Sequence, residues 1–104
     1  MQHPLTQNPN KHYDVEEGVR KEPAIKTIER QKTIQEVISW CRINVLKYDL
    51  RTKGQDESDK KKIKTYVDYI EFLLSVEERV DYFQEKRELS VLECYALLDL
   101  RIEY

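Results

Sequence analysis

The sequence predicts an all-α fold, and three observations carry that expectation. Only two glycines and three prolines interrupt a chain in which 37% of the residues are charged, a composition that suits helices better than a sandwich or barrel. Apolar residues recur at three- and four-residue steps through two long segments, as they do on helices with one buried face. Three stretches, beginning at Thr33, Ser75 and Ser90, have the Ser/Thr-x-x-Glu form of a capping box, in which a helix N-terminus satisfies its own free amides. At 104 residues there is room for one compact domain and not two. The expected architecture is an antiparallel helical hairpin with one or two C-terminal helices and an extended N-terminal arm.

The arm comes first. Residues 1–26 hold all three prolines, both histidines and few apolar side chains, which fits an extended segment anchored by Tyr13 and Val15. Residues 27–104 then form a single helical domain, with a short helical lead-in from Pro23 as an alternative start. The first main helix begins at Thr33, where Thr33 and Glu36 make the capping pair. Ile34, Val37, Ile38, Cys41, Val45 and Tyr48 share its core face. Trp40, Asn44, Lys47 and Arg51 follow at steps of four, three and four, so they form an adjacent polar stripe.

Arg51 to Ser58 breaks the periodicity, and Gly54 suits the left-handed turn that ends many helices. The second helix opens with Asp59 in its first turn, favourable to the helix dipole. It carries Ile63, Tyr66, Val67, Ile70, Leu73 and Leu74 as its expected buried face. A short loop between the two predicts an antiparallel pair. Beyond Ser75 the capping patterns suggest one helix over about Val76 to Arg87 and another over about Val91 to Ile102. The last is apolar on nearly every side, so it must be covered by its own domain or by another subunit. A homo-oligomer assembled through this C-terminal helix is the expectation.

Charge narrows the function. The net charge is −2, so the chain as a whole is no polyanion binder and a nucleic-acid partner is not expected. Locally the balance reverses: Arg51 to Lys64 holds six basic residues against three acidic, whereas Glu77 onward holds eight acidic against four basic. A patch of that size suits a phosphate or two rather than a groove along DNA. Gly18 and Gly54 are too few glycines for a phosphate-cradling P-loop. His3, His12, Cys41 and Cys94 are too scattered for structural zinc. Glu36, Asp49, Asp68 and Glu71 do not line one helix face for magnesium, although Asp68 and Glu71 share one. No metal or cofactor is expected. Two cysteines among apolar residues read as buried thiols in a reducing cytosol, and no segment has the roughly twenty apolar residues of a membrane span.

The polar stripe is the candidate site. Lys and Arg hold phosphate, Arg through two parallel hydrogen bonds, and Asn reads the edge of a base or sugar. Tyr48, Tyr66 and Trp40 offer flat surfaces for a base. On spacing alone, the same residues also make an ordinary solvated face with surface ion pairs and a core tyrosine. Lys60 and Lys61 read as a wet helix face, and Asp59 as a helix-terminus stabiliser rather than a base.

Written out, CRINVLKYDLRTKG followed by DKKKIKTY resembles the SaV-like family of small phage proteins. The family pattern is Cys-x-Gly-Asn-x-x-Lys-Tyr-x-x-Arg, a Lys-Gly loop, then Asp-x-x-Lys-Ala-x-x-Tyr, with a His-Tyr pair upstream. Cys41, Asn44, Lys47, Tyr48, Arg51, Lys53, Gly54, Asp59, Lys62 and Tyr66 stand at that spacing, as do His12 and Tyr13. The likeness spans roughly residues 8 to 74. Ile43 replaces the usual Gly and Ile63 the usual Ala, each adding bulk where a small residue lets a ligand approach. One branch of that family includes a nucleoside-monophosphate kinase without a P-loop, so the resemblance implies a nucleotide as ligand, in the cytoplasm of an infected bacterium. The expected site is then Asn44, Lys47, Tyr48, Arg51, Lys62 and Tyr66, with His12 and Tyr13 contributed by the arm. No residue set here makes a complete catalytic apparatus. The leading expectation is therefore binding of a nucleotide or nucleotide-derived signal, with sequestration of a host defence signal as its use. The alternatives are nucleotide kinase activity and a protein-interaction module that inhibits a host protein through the C-terminal helix.

Overall fold

In the computed structural model, residues 1–6, 14–17, 20–51, 57–82 and 88–104 are described. Among them the fold is helical: α1 (Ala24–Gln31), α2 (Ile34–Asp49), α3 (Glu57–Tyr82) and α4 (Val91–Leu97) follow a 3-10 turn (Pro4–Thr6) and a two-stranded hairpin, β1 (Asp14–Glu17) and β2 (Arg20–Pro23). The strands pair antiparallel, with Asp14 opposite Pro23 and Glu17 opposite Arg20. Pro23, whose fixed φ suits a helix entry, leads directly into α1, so the helical part begins three residues before the boundary that composition suggests. Arg30 reaches back to Glu22 with a second nitrogen at 2.9 Å, and the Thr27 hydroxyl donates to the same carboxylate at 2.8 Å. These bonds fasten the hairpin's last strand to the first helix.

α2 starts where its sequence says it should. The Thr33 hydroxyl accepts from the Glu36 amide at 3.3 Å while the Glu36 carboxylate accepts from the Thr33 amide at 3.0 Å, the reciprocal box expected of that pair. α4 is capped in the same way by Ser90 and Glu93. The two caps also meet: Thr33 and Ser90 form an isolated antiparallel bridge, and the Val91 amide donates to the Lys32 carbonyl at 2.9 Å.

α2 and α3 are the antiparallel hairpin. Gln35 bonds Glu77 at one end, Trp40 meets Tyr66 in the middle, and Arg51 pairs with Asp59 at the other, an order of contacts that only opposed directions allow. α2 buries Ile34, Val37, Ile38 and Cys41 as its pattern predicts, while Val45 and Tyr48 are half-buried.

α3 differs from expectation in two ways. It runs unbroken through Ser75, where the capping-box pattern suggests a new helix. Leu73, Val76 and Val80 continue one buried stripe across that point, and Ser75 is left as an exposed residue inside the helix. Its buried stripe is also rotated: Tyr69, Leu73, Val76 and Val80 face the core, whereas Val67 and Leu74 are 37% and 42% exposed. A hydroxyl that must find Glu29 draws Tyr69 inward, and the apolar residues on the neighbouring azimuth are left at the rim.

α4 is shorter than the Val91 to Ile102 span that its apolar content suggests. Asp99 adopts φ 55, in the left-handed region that Asp tolerates. The Leu100 amide then bonds the Tyr95 carbonyl at 2.8 Å, the closing bond of a Schellman turn. The chain continues extended and pairs Glu103 with Gln2 in a parallel bridge. Val91, Cys94 and Tyr95 are buried, and Leu92, Leu98, Leu100 and Ile102 pack on the core. Most of this segment is therefore covered within the chain, while Leu97 is 41% exposed. Cys41 and Cys94 are free and buried. No helix among the described residues is long and apolar enough to cross a membrane.

Candidate functional site

The polar stripe of α2 and the first turns of α3 meet at the loop end of the hairpin. Tyr48, half-buried, is the centre. The Lys47 ammonium lies 5.3 Å from its ring centre, the Arg51 guanidinium 5.1 Å and the Lys62 ammonium 5.2 Å, all within the range of a cation over an aromatic face. Lys47 reaches the ring from the same helix, Arg51 from just past that helix's C-cap, Leu50, and Lys62 crosses from α3. Tyr66 lies nearly parallel to Tyr48, with centroids 6.3 Å apart, and meets the Trp40 ring edge-on at 5.6 Å.

One acid tempers this charge. Asp59, 4% exposed in the first turn of α3, accepts from Arg51 at 3.1 Å. That fixes the guanidinium at the junction and places a carboxylate where the α3 dipole favours it. Among the described residues no ion pair falls on Lys47 or Lys62, whereas Lys60 pairs with Glu57 and Lys64 with Asp68 at the exposed surface. Of the lysines in this turn, Lys62 is the one placed beside the Tyr48 ring. Asn44 gives one amide hydrogen to the Trp40 carbonyl at 2.9 Å. Ile43 is 65% exposed, so its bulk points into solvent. His12, Tyr13, Lys53 and Gly54 lie outside the described residues.

A second cluster has no counterpart in the sequence reading. Glu29 of α1 is fully buried and accepts hydrogen bonds from Tyr69 of α3, Tyr95 of α4 and Tyr104 at the C-terminal end, the Tyr95 bond at 2.7 Å. His3 completes the set, its Nε2 lying 2.8 Å from the same carboxylate. Its Nδ1 accepts from the Leu5 amide at 3.1 Å, so Nε2 carries the hydrogen that Glu29 receives. Four donors from four parts of the chain thus converge on one carboxylate, three at Oε2 and one at Oε1, the kind of satisfaction a buried acid requires. Burial, and then the negative charge of Glu29, push Tyr69, Tyr95 and Tyr104 well above the ordinary tyrosine range. The only local signal for this cluster is a tyrosine beside an apolar stripe, which reads as core.

An open depression of about 230 Å³ lies next to it, lined by Lys26, Leu92, Tyr95, Ala96, Leu100, Ile102 and Tyr104. Lys26 sits 5.5 Å from the Tyr104 ring centre and is its one charged wall. The Tyr48 patch gathers more charge and more aromatic surface, and it is the better candidate for ligand contact.

The chain belongs to the DUF3310 family, a family of proteins of unknown function, whose model matches residues 6–68. No curated protein and no solved structure gave a match. The matched span contains every described residue of the Tyr48 patch. Of the Glu29 cluster it contains Glu29 alone, with His3, Tyr69, Tyr95 and Tyr104 lying outside.

Proposed function

We propose that the protein binds a nucleotide or a nucleotide-derived signalling molecule at the patch around Tyr48. The observation that carries this reading is the convergence of Lys47, Arg51 and Lys62 on a single ring with Asp59 as the acid paired among them. Folding alone gives no reason to gather three like charges at one aromatic residue, because their mutual repulsion costs stability that a bound anion would return. The resemblance to SaV-like phage proteins supplies the ligand class, and with it a cytoplasmic role in an infected bacterium. Holding a host defence signal out of circulation is the use we infer for such a patch. Nucleotide kinase activity is the catalytic alternative within the same ligand class.

A melting screen against nucleoside mono-, di- and triphosphates, cyclic dinucleotides and ADP-ribose tests the reading. At least one class should raise Tm, and Lys47→Ala with Lys62→Ala should abolish the rise without lowering the Tm of the free protein. That pair is the right choice because neither lysine holds an ion pair among the described residues, whereas Arg51→Ala would strip buried Asp59 of its guanidinium partner. If no compound moves Tm in the unaltered protein, the reading is wrong.

A second reading has its own support. Ile43, Leu46 and Leu50 are 65%, 55% and 65% exposed and recur at steps of three and four along the outer side of α2. An apolar ridge of that kind suits a protein partner or a second copy of the chain, and it is a further surface for such contact beside the C-terminal helix. A light-scattering mass in solution, repeated with Leu46→Lys, separates self-association from a monomer.

A further inference from the structure

We infer that the Tyr48 patch grips its ligand by the phosphate alone and is indifferent to the base, an inference that rests on the nucleotide-binding reading above. The aromatic surface that a base would need is already in use. Tyr48 has Lys47, Arg51 and Lys62 around its ring and Tyr66 alongside. Tyr66 in turn packs between Tyr48 and the edge of Trp40. A base seated on Tyr48 would displace the same cations that must hold the phosphate, so the two demands compete for one ring.

Asn44 is half-buried and gives one of its two amide hydrogens to the Trp40 carbonyl, a bond within its own helix. The cations, by contrast, are placed for an anion. Their charged centres lie 5.1 to 5.3 Å from one point, close enough for one phosphate or diphosphate to be reached by more than one of them after a change of rotamer. Each added negative charge relieves more of their repulsion, so affinity follows the charge of the phosphate group and falls with salt.

Isothermal titration of the full chain with AMP, GMP, CMP, UMP, pyrophosphate, adenosine and guanosine tests this. The four monophosphates should agree within about threefold in Kd, pyrophosphate should compete with each, and the nucleosides should give no heat. Lys47→Ala with Lys62→Ala should weaken all four monophosphates alike, with unchanged far-UV ellipticity. A spread beyond about tenfold among the monophosphates, or binding of a bare nucleoside, overturns the inference while leaving nucleotide binding standing. Absence of binding by every phosphate-bearing compound, both in this titration and in the melting screen, overturns both.

Discussion

Tyr69 donates its phenolic hydrogen to Glu29, a carboxylate 40 residues earlier on another helix. That bond decides which face of α3 turns inward, and through Tyr95, Tyr104 and His3 the same carboxylate also gathers α4 and both described chain ends. The domain is therefore centred on a polar knot inside an apolar shell. Such a knot rigidifies a core when every member is satisfied, and it becomes expensive when one is removed.

Removal of Glu29 should accordingly cost more than removal of any one donor. Glu29→Gln keeps the shape but brings amide hydrogens against the tyrosine hydroxyls, and is expected to lower unfolding free energy by about 2–4 kcal/mol. Tyr104→Phe, which deletes one bond to a half-buried hydroxyl, should cost about 1–2 kcal/mol. Urea denaturation of the two single variants and the double variant measures their coupling. If Tyr104→Phe costs the same with or without Glu29, the hydrogen bond does not contribute and the account of the knot is wrong.

Alkaline pH should attack the same place. Tyr69, Tyr95 and Tyr104 are raised above their ordinary value of 10.0, first by burial and then by Glu29. A group with a raised folded pKa leaves stability intact below its unfolded value and removes it above, because the unfolded chain releases the proton that the folded chain retains. Stability should therefore be constant in this respect below pH 10 and fall steadily beyond it. Following the tyrosinate absorbance alongside ellipticity checks this: the three should ionise together with loss of helix. Full ionisation of all seven tyrosines with ellipticity unchanged would refute it.

How much was legible in the sequence depended on how local each feature is. The Thr33 and Ser90 caps are contained within four residues and appear as expected, and the Tyr48 patch was visible because Asn44, Lys47 and Arg51 follow one another at steps of three and four along a single stripe. Ser75 carries the same capping letters without a cap, since the burial of Leu73, Val76 and Val80 on both sides of it favours a continuous helix. Lys62 could be placed beside Tyr48 only through the hairpin and the family resemblance. The Glu29 knot had no pattern to find: its members stand at positions 3, 29, 69, 95 and 104, and only tertiary packing makes them neighbours. That is also why Val67 and Leu74, rather than Tyr69, looked like core.

The two cysteines should be inert in the native protein. Burial pushes the Cys41 thiol up to about 12 and Cys94 to about 11, and the thiolate is the reactive form. At neutral pH a colourless disulfide reagent that releases a coloured thiol should report almost no reaction until denaturant is added, and then two equivalents. Rapid modification of either cysteine in the folded state, with ellipticity retained, would contradict their burial.

The last prediction separates the structural role of Arg51 from its role in the patch. Its guanidinium pairs with Asp59 at 3.1 Å, but its side chain is 50% exposed while that of Asp59 is 5% exposed. A pair half open to water is screened, so its coupling should be about 1 kcal/mol rather than the 3–5 of a pair closed on both sides. Arg51→Ala should lower stability by about that amount, and the same change in an Asp59→Asn background should cost less, since the buried charge it neutralised is gone. Arg51→Lys should retain most of the stability, because a point charge still faces the carboxylate, yet lose the planar group over Tyr48. Denaturation of the four proteins gives the coupling directly. If Arg51→Ala costs nothing in either background, the ion pair is only a surface contact, and Arg51 belongs to the ligand patch alone.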